Sequence, residues 1–211
     1  MGDGTTTQRT TPVQVVSSGV VSVSAGYYHT AFIKSDGSLW ITGYNNYGEL
    51  GLGDTSNRSS PVQVVSSGVV SVSAGTHFTT FIKSDGSLWG MGYNANGELG
   101  DGTTTQRNTP IEIISSGVVS VSAGHYSTRF VKSDGSLWAM GQNNNGELGD
   151  GTATDRSTPV QILSSDVASV PRGYQHSVFT KSDGSLWATG YNNHGQLGDG
   201  NLTDRNQPYK I

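Results

Sequence analysis

The chain has 211 residues, a formal net charge of −4, 13% charged and 33% hydrophobic residues, and 30 glycines. An acidic balance with no basic run excludes non-specific binding to nucleic acid or to an anionic membrane surface, and no apolar stretch reaches the length of a membrane span. Without cysteine there is no disulfide, thiolate metal site or cysteine nucleophile, and the excess of Gly, Ser, Thr and Asn disfavours helices.

The N-terminal phrase MGDGTTTQRT lacks the basic start and apolar core of a signal peptide. Met1 falls where Leu50, Leu99, Leu148 and Leu197 stand in later copies of the phrase, so the sequence reads as opening in mid-motif with residues upstream of it lost. The first predicted strand is Pro12–Val16, led by a proline that a strand tolerates at its first residue. Ser17-Ser18-Gly19 turns the chain, and Val21–Ala25 then alternates apolar and small polar residues with the period of a strand. A third strand is predicted over Thr30–Lys34 and a fourth over Ser38–Thr42, joined by Asp36-Gly37, a strong hairpin signal. A Gly/Asn-rich loop, GYNNYGELGLGD, leads to the next proline.

This pattern repeats. Trp40, Trp89, Trp138 and Trp187 lie 49 residues apart, and Pro12, Pro61, Pro110, Pro159 and Pro208 keep the same period. The repeats span 12–60, 61–109, 110–158 and 159–207, with partial copies at 1–11 and 208–211, in one domain covering 1–211. The last copy diverges most, with Asp166 for Gly and Pro171-Arg172 for Ser-Ala. A four-stranded meander cannot bury both faces alone. Radial repetition of such meanders gives an all-β fold, a β-propeller built of four-stranded antiparallel blades.

The phrases VSVSAGYYHTAFIKSDGSLW and GYNNYGELGLGD, with the Pro-x-x-Val/Ile strand, resemble the regulator of chromosome condensation repeat family across the whole chain. The resemblance implies propeller blades of about 50 residues, seven to a ring. It also implies a binding role, since the family includes exchange factors for small GTPases and secreted inhibitors of enzymes such as β-lactamases. The chain departs from the family in holding four repeats, and in the His29 position, which the next two copies shift or lose. Four blades leave a partial ring, a self-closed ring, or a homodimer completing an eight-bladed ring.

Differences among the copies point to a site. One group follows Ala-Gly: Tyr27, Tyr28 and His29; Thr76, His77 and Phe78; His125 and Tyr126; Tyr174, Gln175 and His176. The other lies in the long loop: Tyr44 and Tyr47; Tyr93 and Asn96; Gln142 and Asn145; Tyr191 and His194. Every Tyr except Tyr209, and every His, sits in these groups. In an antiparallel meander the two connections fall at one end of the strands, with the invariant SSG and SDG turns at the other. Tyr and Asn are residue types that diversified binding surfaces favour. The expectation is a non-enzymatic module presenting this face to a protein partner, soluble, in a compartment the sequence does not specify. The alternatives are an exchange-factor-like or enzyme-inhibitor-like regulator by resemblance, and a structural array within a larger surface protein.

No catalytic residue, metal ligand or cofactor is expected. The GELGDG loops lack the Lys-Ser/Thr of a phosphate loop and read as connections between blades. DGTATD at 150–155 lacks a full calcium-binding pattern. Repeated KSD sets suit a structural hairpin better than a catalytic group. Arg9 and its equivalents are expected to bond loop carbonyls or Glu49, Glu98 and Glu147, and the tryptophans to join Phe32, Phe81, Phe130 and Phe179 in the core.

Overall fold

A computed structural model describes residues 2–171 and 173–211; Met1 and Arg172, singled out above at the chain start and in the divergent repeat, lie outside the described residues. The described residues form strands and turns without helix, grouped into four antiparallel four-stranded sheets. The first holds β1 (Val20–Ala25), β2 (His29–Lys34), β3 (Leu39–Gly43) and β4 (Arg58–Val65). The second holds β5 (Val69–Ala74), β6 (Phe78–Lys83), β7 (Leu88–Gly92) and β8 (Arg107–Ile114). The third runs β9 (Val118–Ala123), β10 (Ser127–Lys132), β11 (Leu137–Gly141), β12 (Arg156–Leu163), and the fourth β13 (Val167–Ser169), β14 (His176–Lys181), β15 (Leu186–Gly190), β16 (Arg205–Lys210).

The phase of the repeat differs from the sequence reading. The proline-led strand closes a sheet: β4 folds back on β3 with Trp40 opposite Gln63 and Ile41 opposite Val62. The long Gly/Asn loop is therefore a connection within a blade, and Ser66-Ser67-Gly68 is the link between blades. Pro61 lies where the register jumps from Val62 to Arg58, a bulge on an edge strand that needs no amide hydrogen there. Pro12–Val16 forms no strand, because a strand of this class pairs with a β3-type strand preceding it, and the described residues before it include none.

The SDG hairpin is set by its own side chain. Asp36 Oδ1 accepts from the Ser38 amide (2.9 Å) and hydroxyl (2.6 Å), and Gly37 takes a φ of 77°, open to glycine without strain. Asp166 occupies the glycine position of the last SSG turn with φ 70°, a conformation that Asp tolerates better than most residues.

The sheets pack face to face around an axis. Ile33 and Leu39 meet Val69 and Val72 of the next sheet, Ile82 and Leu88 meet Val118, and Val131 and Leu137 meet Val167 and Val170. Strand β1 lies beside β5, and β5 beside β9, so the first strands of the first three sheets are innermost. Hydrogen bonds repeat at each junction: Thr79 Oγ1, Thr128 Oγ1 and Ser177 Oγ donate to the carbonyls of Glu49, Glu98 and Glu147. The arc is open. Val23 is 66% exposed on the first sheet, where Val72 is 8%, and Leu186 is 41% exposed on the last, where Leu39 is fully buried.

The phenylalanines are core, as expected, but the tryptophans are only partly buried. Each indole Nε1–H donates to the serine two residues before it, and each ring has a lysine ammonium 3.9–4.6 Å from its centroid. The indole thus covers the core from outside, one face on phenylalanine in the three later blades and one toward a cation.

Candidate binding face

Both variable connections lie at one end of the strands. In each blade the loop residue after β3, β7, β11 or β15 donates its amide to the short connection: Tyr44 to the Tyr28 carbonyl (3.0 Å), Tyr93 to His77 (2.9 Å), Gln142 to Tyr126 (2.8 Å) and Tyr191 to Gln175 (2.9 Å). Gly92 is needed there, since its φ is 108° and a Cβ would stand 2.6 Å from the His77 carbonyl oxygen. The opposite end is tied the same way, with the Val69 amide donating to the Gly37 carbonyl and the Ser35 amide to Gly19.

The candidate side chains divide by position. The third residue after Ala-Gly opens the second strand of its blade and turns inward, so His29 and Phe78 are buried, as is Thr76; these three are not accessible contacts. His29 Nε2 bonds Thr79 Oγ1 (2.9 Å), whose own hydrogen goes to the Glu49 carbonyl. His176, in the same column, is half-buried because no later sheet covers it.

Most of the remaining rings form a continuous ribbon. Tyr27 meets Tyr28 (4.3 Å between centroids), Tyr28 meets Tyr44 (5.7 Å), and His77 lies 4.8 Å from Tyr47. Tyr47 meets Tyr93 (5.1 Å), Tyr93 meets Tyr126 (5.5 Å), and His125 stands 4.0 Å from both Tyr126 and Tyr174. Tyr27, Tyr28 and Tyr174 are about 60% exposed. Asn96, Gln142 and Asn145 are half-buried in the same loops. Tyr191 and His194 pair separately (6.0 Å), beside a cavity of 450 Å³ that Tyr174, Gln175, His176 and Gln196 also line.

Acids underlie the ribbon. Glu49, Glu98 and Glu147 are buried, each accepting an amide two residues back in its loop. Burial pushes the Glu49 and Glu98 carboxyls up to about 7. Burial also raises Glu147, with Arg129 pulling the other way. Burial and then the Glu98 charge raise the Tyr93 and Tyr126 hydroxyls, so Glu98 lies under those two rings electrostatically. Glu49 Oε1 has no hydrogen-bond partner and stands 3.6 Å from His77 Nδ1, which also has none. Burial lowers the His77 ring.

The sequence reading missed two parts of this arrangement. Asn45, Asn94, Asn143 and Asn192 are fully buried. Each Oδ1 accepts the amide of Leu50, Leu99, Leu148 or Leu197, while Nδ2 donates to carbonyls further round the loop. Their signal was constancy between variable neighbours. Of the partners expected for the repeated arginines, a loop carbonyl is found at Arg58, which donates to the Ser56 carbonyl (2.6 Å), but the glutamates are not used. Arg9, Arg58, Arg107, Arg156 and Arg205 pair with Asp3, Asp54, Asp101, Asp150 and Asp199 rather than with the glutamates, which are turned inward. Asp150, the first residue of the DGTATD phrase, is thereby engaged by Arg156, Thr152 and Asn143.

The model of the RCC1-like domain matches residues 1–211. The chain belongs to the RCC1-like domain family. Among solved structures it is similar to human WBSCR16, at 26% identity and TM-score 0.81, covering 91% of this chain and 52% of that one. It is also similar to yeast RCC1 (Prp20) in the structure with Kap60 bound, at 20% identity and TM-score 0.77, covering 91% and 49%. A structure of Prp20p from Saccharomyces cerevisiae, described with its binding to Gsp1p and histones, matches at 20% identity and TM-score 0.78, covering 91% and 50%. The chain spans about half the length of these structures. Among the described residues, no helix is long and apolar enough to cross a membrane.

Proposed function

We propose that this chain is a non-catalytic binding module whose loop-end face docks a protein partner. The observation carrying the reading is the ring ribbon from Tyr27 to Tyr174, which crosses all four blades at one end and leaves three tyrosines about 60% exposed. Tyrosine gives large contact area and a hydrogen-bonding tip at low entropic cost, and such residues dominate binding energy at interfaces. The opposite end repeats SDG and lacks this variation. Yeast RCC1 (Prp20), which shares the fold, has Kap60 bound in its structure, and this supports a protein-binding use here.

The test replaces Tyr27, Tyr28 and Tyr174 by Ser together and compares proteins captured by immobilised wild-type and variant chains. The expected result is loss of the captured partner with a melting temperature within a few degrees of wild type, since exposed substitutions change stability by roughly 0.5 kcal/mol or less each. Capture that survives the triple substitution would refute the reading.

A further inference from the structure

The charges of this fold balance at one end and not at the other. At the turn end Lys34, Lys83, Lys132 and Lys181, each over a tryptophan, are matched by Asp36, Asp85, Asp134 and Asp183 two residues on. At the loop end the five repeated arginines are matched one to one by aspartates. Beyond those pairs, the described loop segments still hold Glu49, Glu98, Glu147, Asp155 and Asp204, against one buried cation nearby, Arg129. The ribbon above them offers the electron-rich faces of tyrosines, to which ammonium and guanidinium groups are attracted.

One place combines these features. Around His77 the rings of Tyr27, Tyr28, Tyr44, Tyr47 and Tyr93 lie 4.8–6.5 Å away by centroid. Beneath is Glu49, fully buried, with Oε1 unsatisfied. The equivalent oxygen of Glu98 accepts from Asn96 Nδ2 (2.7 Å), so the second blade has spent the acceptor that the first keeps. A buried acceptor without a donor is costly, and a positive group brought over it gains the most.

We propose that the loop-end face takes a cationic segment of its protein partner, with an arginine or lysine seated on the tyrosines around His77 above the Glu49 carboxylate. This rests on the reading that the face binds protein. The partner's chemistry is a basic, extended or loop segment rather than an acidic one.

The probes are fluorescent oligo-arginine and oligo-glutamate peptides, followed by anisotropy at pH 8, where Glu49 is ionised. Three variants accompany wild type: Y27S/Y28S, E49Q and E112Q. Glu49→Gln keeps the fold because the fourth blade carries Gln196 at that position, accepting the His194 amide at 3.0 Å. Glu112→Gln removes the same charge from an exposed site on β8. The expected result is saturable binding of oligo-arginine only, weakened about tenfold by the tyrosine pair and about threefold by E49Q, with E112Q near wild type. Equal binding of oligo-glutamate, or equal weakening by E112Q and E49Q, would overturn the proposal. Absence of oligo-arginine binding while partner capture persists would also overturn it and leave the protein-binding reading standing. Loss of both would remove that reading too.

Discussion

Glu49 and Glu98 are carboxyl groups held where water does not reach, and their titration leaves a mark on stability. Burial holds each at about 7, above the 4.5 of an exposed carboxyl. The folded state therefore binds more protons than the unfolded chain between those values, and stability from these groups is full below about pH 4.5 and falls as pH rises through 7. The half-buried His77 and His176 act in the opposite sense below their ordinary value, because burial lowers both. The variant E49Q/E98Q isolates the carboxyls. Its melting temperature relative to wild type is expected to rise steadily from pH 4.5 to pH 8, as read by calorimetry; a difference independent of pH would mean that the carboxyls are hydrated. At this scale the sequence marked the tyrosine and histidine columns but not their direction. His29 and Phe78 sit beside exposed Tyr28 and half-buried His77, and only strand pairing turns them inward.

A blade has one apolar face toward each neighbour, so the same residue has different worth at different places in the arc. Leu88 is fully buried between the second and third sheets, whereas its repeat equivalent Leu186 is 41% exposed on the last. Leu88→Ala should cost roughly 2–5 kcal/mol and Leu186→Ala less than about half of that in urea unfolding. Equal costs would show that the fourth sheet's outer face is covered in solution. The strands themselves were legible, because alternation, Asp-Gly turns and prolines each have a local physical cause. The grouping of strands into blades was not. A period of 49 residues fixes spacing and leaves phase open, and the partner of the proline strand is decided by a loop whose buried asparagine folds it back.

The whole chain is an open arc of four blades with the fold of larger RCC1-like rings. Two copies closing a ring would have to seat the fourth blade's outer face on the first blade. That face departs from the inner junctions: Thr180 stands where Ile33, Ile82 and Val131 do, Pro171 where Ser24 and Ser73 offer their hydroxyl oxygens, and Gln196 where glutamates stand. Sedimentation equilibrium should therefore return the mass of one chain, 22.1 kDa; twice that mass would restore the paired ring expected as one option from the repeat count. The propeller itself was readable from the repeat, because radial repetition of four-stranded meanders at this period covers the faces that a single meander leaves open.

The two variable connections of each blade are joined through main-chain atoms, from Tyr44 to Tyr28 and onward round the arc, and braced by an asparagine that never changes. Such a frame is indifferent to the identity of the side chains it displays. On the proposed reading of this face, recognition can accordingly be rewritten by point substitution without refolding the scaffold, and transplanting the ribbon residues onto a sister propeller should carry the specificity with them.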